Sequence, residues 1–386
     1  NSGTLKYVSI RHGGAELSPG DEINGLTLGG VGSGTTIEYV EVFANQDDGI
    51  EWFGGAVECK YLSVAFCGDD CYDYDFGWRG KGQFWFALIG EDDGDNAGEH
   101  DGAKPDGQTP YSKPTIYNAT YIGSGIGATA KNSTAVHFRD AAGGTYANSI
   151  FTEFANHAIE IEDLAASKGV DSRQRMEDGD LNLLNNIWYN FGSGNQLSSD
   201  PSSGIIRYTS GGEDTTCQFL INHLTTNNNE VVNPLLGNVS RSSSQNLDPI
   251  PDVAGPAFAN LASLPSSNTF FDNVNFKGAF GDINWAIGWT AMSDYGYFQS
   301  SSSIPEADDA SLFSLFPNPA ESKVNIQLNE NFDKLIILNS IGQVLIDENI
   351  KNQTTLDLSL TSLNKGVYFI VVQNSNSNIT KKLYIK

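Results

Sequence analysis

The sequence predicts an all-β chain, a right-handed parallel β-helix followed by a small antiparallel, Ig-like β-sandwich. Three observations carry this. The first part of the 386-residue chain repeats weakly with a period in the low twenties. Its repeats are short β-rich runs separated by Asn and by many of the 41 glycines. The last 74 residues, 313–386, alternate apolar and polar side chains with the period of half-buried strands. A repeat of that length that cannot bury its own apolar face must stack on its neighbours.

Taken in order, Lys6-Tyr7-Val8-Ser9-Ile10 already reads as an interior repeat. The chain has no initiator Met, so further coils or a cap are expected before it. Residues 38–53 align with residues 60–75 at an offset of 22. Residues 148–160 echo Val42-Phe43-Ala44-Asn45, and weaker echoes follow at 185–190, 217–223 and 268–276. Each coil should comprise about three short strands, with inward Val, Ile, Leu and Phe. Asn at equivalent bends can form a ladder, and Gly can take left-handed turn positions. The Asp- and Gly-rich residues 91–107 read as a long loop, 160–170 as a short helix or loop, and 240–265 as irregular. The expected organisation is a β-helix over 1–299, a polar linker over 300–312 and a sandwich over 313–386. Residues 24–40 and 77–85 resemble a group of bacterial secreted β-helix proteins, a likeness that spans roughly residues 1–86 and bears on fold more than on activity.

In the sandwich, Val324, Ile326 and Leu328 point one way and Lys323, Asn325 and Gln327 the other. Gly342-Gln343-Val344 marks a hairpin, with Gly342 free to take positive φ. The entry Pro317-Asn318-Pro319, the strand opening with Gly366 and Tyr368, and the basic last strand with Lys381 and Lys382 follow in order. This set resembles the type A C-terminal sorting domain of the type IX secretion system of Bacteroidetes-type bacteria. The resemblance implies export across the outer membrane of a Gram-negative cell, with the translocon and its outer-membrane shuttle as partners. It places the protein outside the cell or on its surface.

Formal net charge is −25, and the last 74 residues carry seven Lys against six acids, so the acidity lies in the β-helix. Such a field disfavours nucleic acid and anionic membranes, and it suits divalent cations. No stretch is apolar enough to span a membrane. Of the four cysteines, Cys67 and Cys71 bracket a short Gly-Asp-Asp loop and are expected to form a disulfide in an exported protein, zinc being the lesser reading.

The 22-residue alignment stacks Asp47 over Asp69, Asp48 over Asp70 and Glu51 over Asp73. Carboxylates about 4.8 Å apart on neighbouring coils repel unless something neutralises them. The choices are Ca²⁺, a raised pKa, cations folding back from Arg79 and Lys81, or splaying into solvent. Asp47, Asp48, Asp92, Asp93, Asp95 and Glu99 form the candidate calcium set. Trp78, Arg79, Lys81, Trp85, Asp69 and Asp70 form a candidate ligand set, with Trp on a sugar face and the cations on a uronate. His137, Arg139 and His157 alternate so as to reach one surface. No nucleophile, phosphate-loop, HExxH or dinucleotide motif is present, and no catalytic residue is assigned. The function read from this is a non-enzymatic glycan- or protein-binding, adhesin-like module. The alternatives are a calcium-dependent polysaccharide lyase or glycoside hydrolase, and a structural subunit of an outer-membrane assembly.

Overall fold

The computed structural model describes residues 3–18, 23–129, 134–209, 212, 214–298, 312–339, 343–374 and 378–386. Nearly all of the expected linker and the Gly342 turn lie outside the described residues. The chain divides into two compact units, Asn1–Gln299 and Ser300–Lys386.

The first unit is built on two parallel sheets. The long sheet runs through Thr4–Arg11, Thr36–Phe43, Glu58–Ala65, Lys81–Leu88, Thr115–Ile122, Ile150–Phe154, Ile187–Phe191 and Glu230–Val231. The short sheet runs through Leu26–Gly29, Ile50–Phe53, Tyr72–Asp75, Gly98–Asp101, Val136–Arg139, Ile159–Ile161 and Ile206–Tyr208. Chain order and spatial order coincide in both sheets, as a parallel β-helix requires. Glu38 pairs with Lys60 and Glu51 with Asp73, so the 22-residue alignment is the true coil register there. Later coils lengthen as loops are added, and residues 91–107, expected as a loop, hold the short strand Gly98–Asp101. Within the expected helix-or-loop at 160–170 there is a 3-10 turn at Ala166–Lys168, and past it a helix at Ser172–Glu177 that was not expected, capped by the Asp171 side chain.

The interior is aromatic. Trp52 stacks on Trp85 at 4.9 Å and on Trp78 at 4.7 Å, and Tyr72 on Tyr121 at 5.3 Å. Gly82 explains how one coil accommodates Trp85. It takes the inward register position held by Cys59 in the coil before, and a Cβ there would lie 2.5 Å from the indole.

Each long strand is kinked at one residue of positive φ. Tyr7, Tyr39, Tyr61, Phe84 and Asn118 occupy this position with φ of 55, 56, 56, 60 and 56°. Left-handed backbone is strained for a bulky residue. Here the rings stack at 4.6, 4.4 and 5.0 Å from Tyr7 through Phe84, an attraction that offsets part of the strain. At later coils amides hold this row instead.

Those amides hold a strap, residues 256–298, against the outer face of the long sheet. Asn185 donates to Asn260 O at 2.7 Å. Asn148 pairs with both backbone groups of Ala262, at 2.7 and 3.1 Å. Asn118 donates to Phe276 O at 2.7 Å, and Gln83 pairs with both backbone groups of Asp272, at 2.8 and 3.0 Å. The strap then reaches the first coils, where buried Glu41 accepts from Ala291 N at 2.6 Å and Arg11 pairs with Asp294 at 2.8 Å. It runs overall against the growth of the helix, with one return after Asp272, where Gly278 N donates to Asn148 O at 2.8 Å. Phe280, Met292 and Phe298 add an apolar seam with Phe43, Phe86 and Leu88.

The second unit is a sandwich. One sheet comprises Phe313–Phe316, Lys323–Leu328 and Thr355–Ser359; the other comprises Val344–Asn349, Lys334–Asn339, Gly366–Gln373 and Asn378–Ile385. Val324 and Ile326 are buried while Lys323 and Gln327 are exposed, the alternation read from sequence. The entry motif has a structural reason. Asn318 donates to Lys382 O at 2.8 Å and accepts from Tyr384 N at 2.9 Å, tying the start of the unit to its last strand. Tyr368 donates to Asn364 O at 2.8 Å, and Lys381 lies over the Phe313 ring at 4.9 Å.

Asn148→Ala is expected to cost about 1–3 kcal/mol in denaturant unfolding, because it orphans two backbone groups of the strap. A loss below about 0.5 kcal/mol would mean that the amide does not hold the strap.

Candidate functional site

The outward row of the short sheet reads, coil by coil, Thr27, Glu51, Asp73, Glu99, His137, Glu160, Arg207. Its later half is internally neutralised. Arg139 bonds Glu99 at 2.5 Å and Asp101 at 2.6 Å, and Arg207 bonds Glu160 at 3.2 Å. His137 lies between Glu99 and Glu160 at 3.7 and 3.9 Å, and Lys104 reaches Asp75 and Asp101 at 3.3 and 3.4 Å.

The earlier half is different. Glu51 and Asp73 meet Asp48 of the adjoining turn in one group, and the turns form two more, Asp47 with Asp48 and Asp69, and Asp69 with Asp70 and Asp95. Within each group one oxygen per residue lies within 4.8 Å of the others. Among the described residues, no Lys, Arg or His lies at ion-pair distance from Asp47, Asp48, Glu51 or Asp73. Part of the cluster is scaffolding. Asp48 accepts from Asp70 N at 3.0 Å and Asp70 from Asn96 N at 2.5 Å, so each carboxylate ties its turn to the next coil. Asn24 donates to Glu51. The Asp73 Oδ1 atom is buried and has no hydrogen-bond partner.

Burial, and after it the neighbouring carboxylates, holds the protons of Asp48, Asp70 and Asp73 well above the ordinary carboxylate range. Burial likewise pushes Glu51 up to about 7, with Asp75 and Asp47 adding to it. A set of hard oxygen donors that disfavours its own ionisation suits a divalent cation such as Ca²⁺. The donor chemistry and the orphaned Asp73 oxygen fit that ion.

Of the expected calcium set, Asp47, Asp48 and Asp95 join these groups; Asp92 and Asp93 stay exposed outside them, and Glu99 is engaged by Arg139 and His137. Asp69 and Asp70 lie with the acids rather than beside a sugar platform. Trp78 and Trp85 correct the sequence reading. Both are 0% exposed in the core stack, so neither offers a face to a sugar. Arg79 donates to Tyr111 O at 3.0 Å and lies over the Tyr111 ring, while Lys81 bonds Glu58 at 2.5 Å, so neither folds back onto the stacked acids. Glu51 and Asp73 were absent from the expected site, although their alignment was the signal for them. Arg139 is the cation that the sequence did not assign to the acids.

The expected Cys67–Cys71 disulfide is also corrected, since all four cysteines are free and buried. The loop between Cys67 and Cys71 is fixed by Gly68 N to Asn45 O at 2.9 Å and by Asp70 N to Asp48, and both thiols serve as small core side chains. Burial pushes the Cys67 thiol up to about 12 and the Cys217 thiol up to about 11.

Two tests follow from this geometry. A thiol reagent should find no accessible cysteine in the native chain and four after denaturation without reductant. The folded pKa of Glu51 lies above its ordinary 4.5, so the folded state keeps this proton longer than the unfolded one. The contribution of Glu51 to stability is therefore intact below about 4.5 and lost as pH rises through about 7. In chelator, Glu51→Gln should gain melting temperature relative to the parent between pH 4.5 and 7.5; a pH-independent difference would contradict the shift.

Residues 1–210 match the family described as the pectate-lyase like beta helix domain. Residues 314–386 match the family described as the secretion system C-terminal sorting domain. The first match reaches well past the residues that carried the resemblance in sequence. No curated protein matches the chain.

Proposed function

The chain belongs to the pectate-lyase-like β-helix family and ends in a secretion sorting domain, and on that premise we propose that it is a non-enzymatic glycan-binding module of the cell exterior, charged with Ca²⁺. The sorting domain directs export, with the type IX translocon and its shuttle as partners of that unit. The observation that carries the binding reading is the run of three carboxylate groups at successive turns of the first coils. A cation held there by Asp48, Glu51 and Asp73 would remove their mutual repulsion and leave coordination positions for a uronate-bearing glycan. Arg139 supports binding over elimination chemistry, because Glu99 and Asp101 already occupy the guanidinium.

A hydrolytic reading has one observation in its favour. Glu51, with its proton held to about 7, is a carboxyl poised to act as a general acid on a glycosidic bond.

Millimolar calcium at pH 7 should raise the melting temperature of the β-helix transition by several degrees over chelator, and Asp48→Asn with Asp73→Asn should abolish the gain. Equal melting in calcium and chelator would remove the cation. Incubation with acidic and neutral polysaccharides should then give calcium-dependent retention without new reducing ends or unsaturated products. Product release that Glu51→Gln eliminates would establish the enzyme instead.

A further inference from the structure

A second site lies on the other face of the β-helix, where the strap crosses the first coils. Over the later coils Asn118, Asn148 and Asn185 of the positive-φ row, with Gln83 next to that row, draw the strap down by hydrogen bonds. Over Tyr39 and Tyr61 the same row presents phenols, and a cleft of about 360 Å³ opens between the row and the strap. That size suits a small organic ligand.

Its walls have a definite chemistry. Tyr39 and Tyr61 are covered on both ring faces by the stack, so they offer the cleft their edges. Trp285 stands across them at 70–75° and, with Phe276, closes the apolar side. Its indole N–H is already given to Ala279 O at 2.8 Å. The carboxylates of Asp272 and Asp282 line the strap side. Burial first, then Tyr39 and Asp272, raises the Tyr61 hydroxyl far above its usual range, so this phenol stays neutral.

The lining is therefore rich in acceptors and contains no Lys, Arg or His. Lys60 bonds Asp272 at 2.8 Å, which satisfies one of the two acids and leaves Asp282, with no ion-pair partner among the described residues, at the wall of the cleft. The strong negative charge of this unit repels anions and favours a cation.

We propose that this cleft binds a small organic ammonium ion, a protonated amine on a compact apolar body. The ammonium meets Asp282 and the phenol oxygens, and the body lies against Trp285 and Phe276. This site is separate from the acidic face and does not depend on calcium.

The test titrates the full chain, saturated with calcium, with benzylamine, following tryptophan fluorescence and heat. Benzyl alcohol serves as the neutral probe of the same size. Benzylamine should bind saturably, with the alcohol at least about tenfold weaker, a difference of about 1.4 kcal/mol. Asp282 is exposed, so Asp282→Asn leaves the fold intact; it should weaken the amine about tenfold and leave the alcohol unchanged. Asp106→Asn, at an exposed acid outside both sites, should change neither. Equal binding of amine and alcohol, binding of neither, an inert Asp282→Asn, or loss of amine binding in Asp106→Asn would each overturn the proposal. None of these outcomes touches the calcium reading, whose readout is the melting shift.

Discussion

Parallel pairing between successive coils, at a spacing of about 4.8 Å, is the constraint from which the rest follows. It places a residue over its counterpart in the next coil, whatever that counterpart is. Inside, this is favourable, and Trp52 with Trp85 and Tyr72 with Tyr121 become stacks. Outside, the outcome depends on sign. On the long sheet the row Lys6, Glu38, Lys60 alternates, and its first pair closes at 2.8 Å. On the short sheet Glu51 and Asp73 repeat the same charge in register, and Asp47 and Asp48 meet Asp69 beside them. The scaffold cannot separate them without breaking its own hydrogen bonds. The charge must be met by protons or by a cation, and raised carboxylate pKa values are the protein's response in the absence of an ion.

The same register explains a row of strained residues. Three tyrosines and a phenylalanine hold left-handed backbone in consecutive coils. Stacking lets each ring support the next, and where the row turns to Asn the support comes from hydrogen bonds to the strap. One backbone position thus serves two purposes along the axis. Its amides fasten the strap, and its phenols leave a gap beneath it.

How much of this was legible in sequence follows from periodicity. Glu51 over Asp73 could be read because both lie in repeats of equal length, and Val324 with Ile326 could be read from strict alternation. The strap could not, since its partners lie far away in sequence, as Asp272 does from Gln83, and its contacts run to backbone atoms that leave no compositional mark. Trp78 and Trp85 were misread because aromatic residues beside Arg and Lys suit a sugar platform as well as a core. Gly82 was the missed signal, as a glycine that makes room for the Trp85 ring. Cys67 and Cys71 suggested a bridge by their spacing, whereas spacing alone does not tell which way a side chain faces.

The strap also changes what kind of object the β-helix is. A bare stack of coils is a one-dimensional array in which each coil meets only its neighbours, and such an array frays from its ends. Here a single segment touches the coil of Asn185, each coil down to that of Gln83, and finally Glu41 and Arg11 near the beginning. The first and last coils it touches are coupled through a path that bypasses the coils between them. Those coils then share the protection of the middle ones, and amide exchange across them tends toward one common opening event instead of a gradient.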